Sequence, residues 1–397
     1  MKKQQKSPWK ALVFAVVFGG LGMLTGYFGS TLLKSYLPLQ LLAPQGAAEK
    51  IGLIALGFFA VWVTIAFHEL GHLGAGLAQG FRVALYTAGF LGVRGTENGV
   101  RFFFNRHLNL MGGLAATFPE RLESGPDLRR RFVRIVAAGP LASLLLCAAA
   151  LLLLSYIVQN PGDSPAAATR AGVFFLMITG GVSGMIFLAT MIPSRAGGFM
   201  SDGARLISLL GGGEKGRYEE ATLAVTALLG AGKLPGEYPA DLLERLMTRP
   251  PDTLLGLNGR FVAFTHHLDR GETDLALPLA RIVQENVAAV PPVFQSYYLK
   301  DVVFCYAFLA HDADAARAAW TDIQKQAERD ADAATFRVKA ALALLDGQTE
   351  AAAGFVQKGL AKITDMPFEG QRRFESKWLR AVLEKAQEQQ QAGVVGA

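Results

Sequence analysis

Four stretches of the chain stay apolar for about the 20 residues that an α-helix needs to cross a bilayer core of about 30 Å. They run roughly from Ala11 to Leu33, Ile51 to Leu77, Phe132 to Val158 and Ala171 to Ile192. The first follows Lys2, Lys3 and Lys6 as a secretion signal would. Its apolar run is longer than the usual stretch of about 7 to 15 residues and no small-x-small cleavage site follows, so an uncleaved span is expected. Gly22 with Gly26, and Gly180 with Gly184, repeat the small-xxx-small spacing that lets membrane helices approach closely. Between the second and third spans, Phe81 to Phe104 mixes β-branched and aromatic residues with Gly89, Gly92, Gly95 and the turn pair Asn98-Gly99. That pattern predicts a β-hairpin. Leu108 to Phe118 is apolar but too short to span, and is expected to skim the membrane or re-enter it.

Beyond about Leu206 the pattern becomes one amphipathic, alanine- and leucine-rich helix after another, broken by short turns. Three turns look related: Arg270 to Asp274, His311 to Asp314 and Asp346 to Glu350. Their spacing of about 35 to 41 residues is close to the 34-residue tetratricopeptide period, and the region resembles a degenerate tetratricopeptide-like array. An irregular helical bundle is the competing reading. The expected fold is therefore mainly α: a polytopic membrane domain over 1–206 with about four transmembrane helices and a hairpin or re-entrant region at 80–131, then an α-solenoid-like domain over 207–386. Residues 387–397 are expected to be a disordered tail.

Composition and charge sharpen this picture. Of the 397 residues, 51% are hydrophobic and 18% charged, against about 25% charged in an average soluble domain. The mean hydropathy is +0.28, which argues against a single-domain soluble enzyme. The segment between spans two and three carries Arg82, Arg94, Arg101, Arg106, Arg121, Arg129, Arg130, Arg131 and Arg134, whereas the next connection offers only Arg170. By the positive-inside rule the arginine-rich loop is cytosolic, as are the amino terminus and everything after about residue 193. The net charge of +6 sits beside apolar segments, which points to a lipid bilayer and not to a nucleic acid partner. Two cysteines make no disulfide framework; Cys147 in a span and Cys305 in a helical stretch read as packing residues.

The chemistry is concentrated in Phe67-His68-Glu69-Leu70-Gly71-His72, near the cytosolic end of span two. Residues i and i+4 share a helix face, so His68 and His72 can ligate one zinc ion while Glu69 acts as general base. In a chain of this composition about 0.007 such motifs are expected by chance, so the pattern is specific. Polar groups in hydrocarbon are costly and usually face an internal cavity with a function. From Ile51 to His68 a helix climbs about 26 Å, which sets the histidines towards the cytosolic side of the membrane. A catalytic zinc usually takes three protein ligands and a water. His107, His266, His267 and His311 lie outside the spans, so a carboxylate is expected as the third ligand. Asp202, just past span four, is either that ligand or a helix cap ahead of Ala204-Arg205-Leu206.

Three motifs, in order, resemble the site-2 protease family of intramembrane zinc metalloproteases: His68-Glu69-Leu70-Gly71-His72, Ala138-Gly139-Pro140-Leu141-Ala142, and Pro193 followed by Asp202-Gly203-Ala204-Arg205. The likeness covers about residues 51 to 206. It implies that His68, His72 and Asp202 bind Zn2+, that Glu69 activates water, and that the substrate is the transmembrane segment of a membrane-anchored protein. The family places an asparagine three residues before the proline where this chain has Thr190, making Thr190 the candidate to contact substrate and putting full activity in doubt. The hairpin is expected to clamp an extended substrate strand, and the helical array to present a concave surface to a cytosolic protein partner. The alternative is a catalytically weak relative that serves as a membrane scaffold; retention of Glu69 speaks against it.

Overall fold

The computed structural model describes residues 46–105, 111–119, 125–160, 166–196 and 199–395. The expected first span at 11–33, with Gly22 and Gly26, lies outside the described residues, as do Arg106, His107 and Arg121. The other three expected spans are helices α1 (Ala47–Ala78), α2 (Gly125–Gln159) and α3 (Ala167–Met191). All three are long and apolar enough to cross a membrane. The shortest, of 25 residues, reaches about 38 Å at 1.5 Å per residue, more than the hydrocarbon thickness of about 30 Å. Their outward residues include Ile54, Phe58, Leu152 and Met185, all exposed. Helices apolar on every side need lipid around them.

The chain divides into two units, residues 1–64 with 145–184, and 65–144 with 185–397. In the first, Arg170 pairs with Glu49 at 2.7 Å, and Val173 and Leu154 form a small apolar core. Gly180 packs against Ala150 and Leu151, and Gly184 against the Cys147 sulfur, so the glycine spacing does serve close helix approach and Cys147 is a packing residue.

In the second unit the expected hairpin is larger than a hairpin. Strands β1 (Phe81–Ala88), β2 (Leu91–Thr96), β3 (Gly99–Phe104) and β4 (Leu114–Pro119) form one antiparallel sheet in the order β3-β2-β1-β4. Asn98 and Gly99 turn β2 into β3 as expected, with Thr96 paired to Gly99. The described part of the piece at 108–118, expected to skim or re-enter the membrane, ends in β4, an edge strand paired to β1 with Ala115 opposite Tyr86. Six residues are too few to span but enough to complete a sheet. A two-stranded ribbon, β5 (Arg195–Ala196) and β6 (Phe199–Met200), follows α3.

Ten further helices run from α4 (Asp202–Gly211) through α5 (Gly213–Gly230), α6 (Ala240–Leu246), α7 (Leu254–Asp269), α8 (Thr273–Asn286), α9 (Pro292–Phe304), α10 (Ala313–Asp330), α11 (Ala333–Leu345) and α12 (Thr349–Leu360) to α13 (Glu369–Val395). Residue 206, the expected boundary, falls inside α4. Each of the three related turns joins two helices: α7 to α8, α9 and its π-turn (Cys305–Leu309) to α10, and α11 to α12. Leu257, Phe264, Val302, Val338 and Leu379 belong to the core these helices share. The expected disordered tail is corrected, because α13 continues to Val395. Trp378, Leu379, Val382 and Ala386 anchor it in the core, and a run of Gln, Glu, Lys and Ala then prolongs a helix that is already nucleated. The sheet meets this domain directly: Glu97 N–H donates to Thr364 O at 3.1 Å, Arg101 pairs with Asp365 at 2.9 Å, and the Phe118 and Phe368 rings lie 4.3 Å apart.

Candidate metal centre

Helical periodicity stacks His68 and His72 one turn apart on α1, with ring centroids 4.9 Å apart and planes at 86°. The first residue of α4 meets them there. Asp202 Oδ2 is 3.3 Å from His68 Nε2 and 3.4 Å from His72 Nε2, and one ligand atom from each of the three lies within 4.8 Å of the others. A tetrahedral zinc with bonds of about 2.0–2.1 Å holds its donors about 3.3–3.4 Å apart. The donor set and its spacing therefore fit one zinc ion.

The far nitrogen of each imidazole is already engaged. His72 Nδ1 donates to Ile135 O at 2.8 Å, which fixes the tautomer and leaves the Nε2 lone pair for a metal. His68 Nδ1 lies 2.9 Å from Ser143 Oγ, with both residues buried. Both partners sit on α2, which approaches α1 closely because residue 139 is glycine: a Cβ there would stand 2.1 Å from His72 Nε2. Pro140, inside α2, has no N–H to offer the carbonyl of Val136, next to the one that orients His72.

Glu69, 9% exposed, is held by backbone. The Ala115 N–H at the start of β4 donates to its carboxylate. Gly113, at φ +98°, sits so close that a Cβ would come within 2.6 Å of Glu69 Oε1. Tyr86, opposite Ala115 in the sheet, donates its hydroxyl to Ala66 O at 3.0 Å and so fastens β1 to α1. Burial and the nearby Glu69 carboxylate push the Tyr86 phenol up to about 12.

Asp202 is not the cap of α4. Ser201 takes that role, its hydroxyl accepting from Ala204 N–H, which frees the aspartate to turn to the histidines. Gly203 brings this turn against the end of α3, since a Cβ there would lie 1.9 Å from Met191 O.

Three other residues singled out in the sequence have partners of their own. Thr190 donates to Phe187 O in its own helix at 3.3 Å. His266 Nδ1 bonds to Pro235 O and His267 pairs with Glu272, both in the helical domain. Ser143, Ile135, Gly113 and Ala115 were not anticipated from the sequence. Ser143 alone left a signal there, as a hydroxyl in an apolar span one turn past Gly139.

A family model described as peptidase family M50 matches residues 56–383, more than four-fifths of the chain. No curated protein matches the chain, and no solved structure does.

Proposed function

The chain belongs to peptidase family M50, the intramembrane metalloproteases, and we propose that it is a zinc-dependent endopeptidase that hydrolyses peptide bonds in or near the transmembrane segments of membrane-anchored proteins. The observation that carries this reading is the convergence of two imidazole Nε2 atoms on one Asp202 carboxylate oxygen at zinc-ligand spacing, with Glu69 next to His68 on the same helix.

In this reading His68, His72 and Asp202 hold the zinc, whose chemistry is to acidify a bound water and polarise the scissile carbonyl. Glu69 takes the proton of the attacking water and returns it to the leaving amine. The Ala115 N–H occupies part of the Glu69 carboxylate, so the base keeps one orientation throughout. Ser143 and Ile135 keep each imidazole turned with Nε2 inward. An intact substrate helix hides its carbonyls in its own hydrogen bonds, so the segment must be extended before attack. The sheet supplies a surface for that, since its edge strand β4 begins at Glu69, and main-chain pairing is sequence-tolerant.

The tetratricopeptide-like helices are, on this reading, the cytosolic platform that recruits the substrate or a partner protein. A scaffold without activity has no use for a general base fixed by both Ala115 and Gly113, which favours the enzyme. The test is zinc content and cleavage of a transmembrane reporter in the wild type and in Glu69→Gln. The variant should retain zinc and lose cleavage; equal cleavage by both proteins overturns the reading.

A further inference from the structure

Within the helical domain, α5, α7, α9, α11 and α13 enclose a cavity of about 190 Å³. An apolar cavity of about 150 Å³ holds a benzene ring, so this one has room for a long side chain. Its charged lining is Lys300, Asp301, Asp332 and Glu375, and Lys300 and Glu375 are each only 3% exposed. Lys300 Nζ donates to Asp332 at 2.6 Å. Behind them Arg337, fully buried, donates to Glu375 at 2.8 Å and also to Asp301.

Asp301, Asp332 and Glu375 thus share the site with Lys300 and Arg337, and Asp330 stands 3.9 Å from Lys300 Nζ, so carboxylates outnumber cations there. Burial pushes Asp301 and Glu375 above the usual carboxylate range even beside Arg337. One nitrogen of the same guanidinium, Arg337 Nη1, is buried with no acceptor. Arg337 is not itself among the lining residues and its guanidinium lies over the Phe304 ring, 4.3 Å from the centroid, so what the cavity itself lacks is a cation. The walls include Tyr238, Phe261 and Tyr297, whose ring faces attract ammonium and guanidinium groups. Tyr297 is 50% exposed and marks the mouth.

A basic peptide brings the missing cation. Membrane-anchored proteins carry such residues in a fixed place: Lys and Arg are enriched within about 15–20 residues of the cytosolic ends of their spans. We propose that this cavity binds a Lys or Arg side chain from the basic cytosolic flank of the substrate. The proposal rests on the endopeptidase reading and on a cytosolic helical domain. It makes the helical domain the reader of substrate charge, separate from the metal centre that cuts.

The test uses the full chain in nanodiscs, carrying Glu69→Gln so that nothing is cleaved. The probe is a fluorescent Gly/Ser peptide bearing a Lys-Arg pair, with a Gln-Gln version as control, and binding is followed by anisotropy. The basic peptide should bind and the control should not. Asp332→Asn should weaken binding about tenfold, the loss of one favourable charge contact worth about 1.4 kcal/mol. Tyr297→Leu should weaken it as well, with unfolding temperatures reported for both. Asp241→Asn, an exposed carboxylate of α6 paired only with Arg245, should leave binding unchanged. Equal binding of the two peptides, no binding, or equal effects of Asp332→Asn and Asp241→Asn would each overturn the proposal. Because cleavage is not read, failure here leaves the protease reading standing, and failure of the Glu69→Gln cleavage test leaves this binding result to stand alone.

Discussion

The backbone N–H of Ala115 donates to the carboxylate of Glu69, so a strand of the sheet holds the proposed general base. Near the end of the same strand, β4, the Phe118 ring lies against Phe368 just before α13. One short strand therefore touches the base at its start and the helical domain at its end. Backbone placement of this kind survives most substitutions of the side chains along β4 but is sensitive to whatever moves the strand itself.

Gly113→Ala is such a change. The native φ of +98° is unfavourable for alanine, and the added Cβ would lie 2.6 Å from Glu69 Oε1. The carboxylate must move off its position beside Ala115. We expect kcat to fall at least tenfold, about 1.4 kcal/mol of transition-state stabilisation, with zinc content unchanged. Metal analysis alongside reporter cleavage checks both halves; a fall in zinc content would assign Gly113 to the fold of the centre and not to its base.

Ser143→Ala removes the group that faces His68 Nδ1 at 2.9 Å. Loss of a hydrogen-bond partner behind a metal-binding histidine commonly costs about 10- to 100-fold in affinity, and the same range is expected here. Competition with a calibrated zinc chelator measures it. Ser143→Thr, which keeps the hydroxyl, should recover most of the loss, and an affinity equal to wild type in Ser143→Ala would remove Ser143 from the centre.

The histidines and Glu69 were legible in the sequence because their relation is local: four residues on a helix fix which side chains share a face. Asp202 was half legible. Its distance along the chain left ligand and cap equally open until the family likeness was invoked, and what separates the two is Ser201, whose hydroxyl caps α4 in its place. The grip of Ala115 on Glu69 had no sequence signal at all, since every residue but proline carries a backbone N–H. β4 was hidden for a related reason. Leu114 to Pro119 is too short and too apolar to show a strand pattern of its own, and the pairing of Ala115 with Tyr86 that makes it a strand is non-local. The tail failed differently: its polar composition argues for disorder only if nothing upstream nucleates the helix, and Trp378 and Leu379 do so.

Tyr86→Phe should reveal itself through pH. The phenol ionises near 10 in an unfolded chain and at about 12 in the fold. Because the folded state favours the neutral form, the associated stability is complete below about pH 10 and is lost as pH rises through about 12. Two units correspond to about 2–3 kcal/mol. At neutral pH the variant should be less stable by about 1 kcal/mol, for the lost bond to Ala66 O. Unfolding free energies of the two proteins across this range should converge or cross above pH 10; parallel curves would mean that Tyr86 ionises as it does in water.

Ser201→Ala tests how the third ligand is placed. The Ser201 hydroxyl donates to Ile192 O at 2.8 Å and accepts from Ser194 N–H at 3.0 Å and Ala204 N–H at 3.3 Å. One oxygen thereby closes the end of α3 onto the start of α4, and the next residue is Asp202. Removing a helix cap costs about 1 kcal/mol, and here the same change also frees the turn that aims the carboxylate. Zinc affinity should drop several-fold in Ser201→Ala and return in Ser201→Thr, whereas Asp202→Ala should lose the metal outright. Chelator competition ranks the three. If Ser201→Ala bound zinc as the wild type does, Asp202 would be held by the histidines themselves, and the α3–α4 turn would have no part in building the centre.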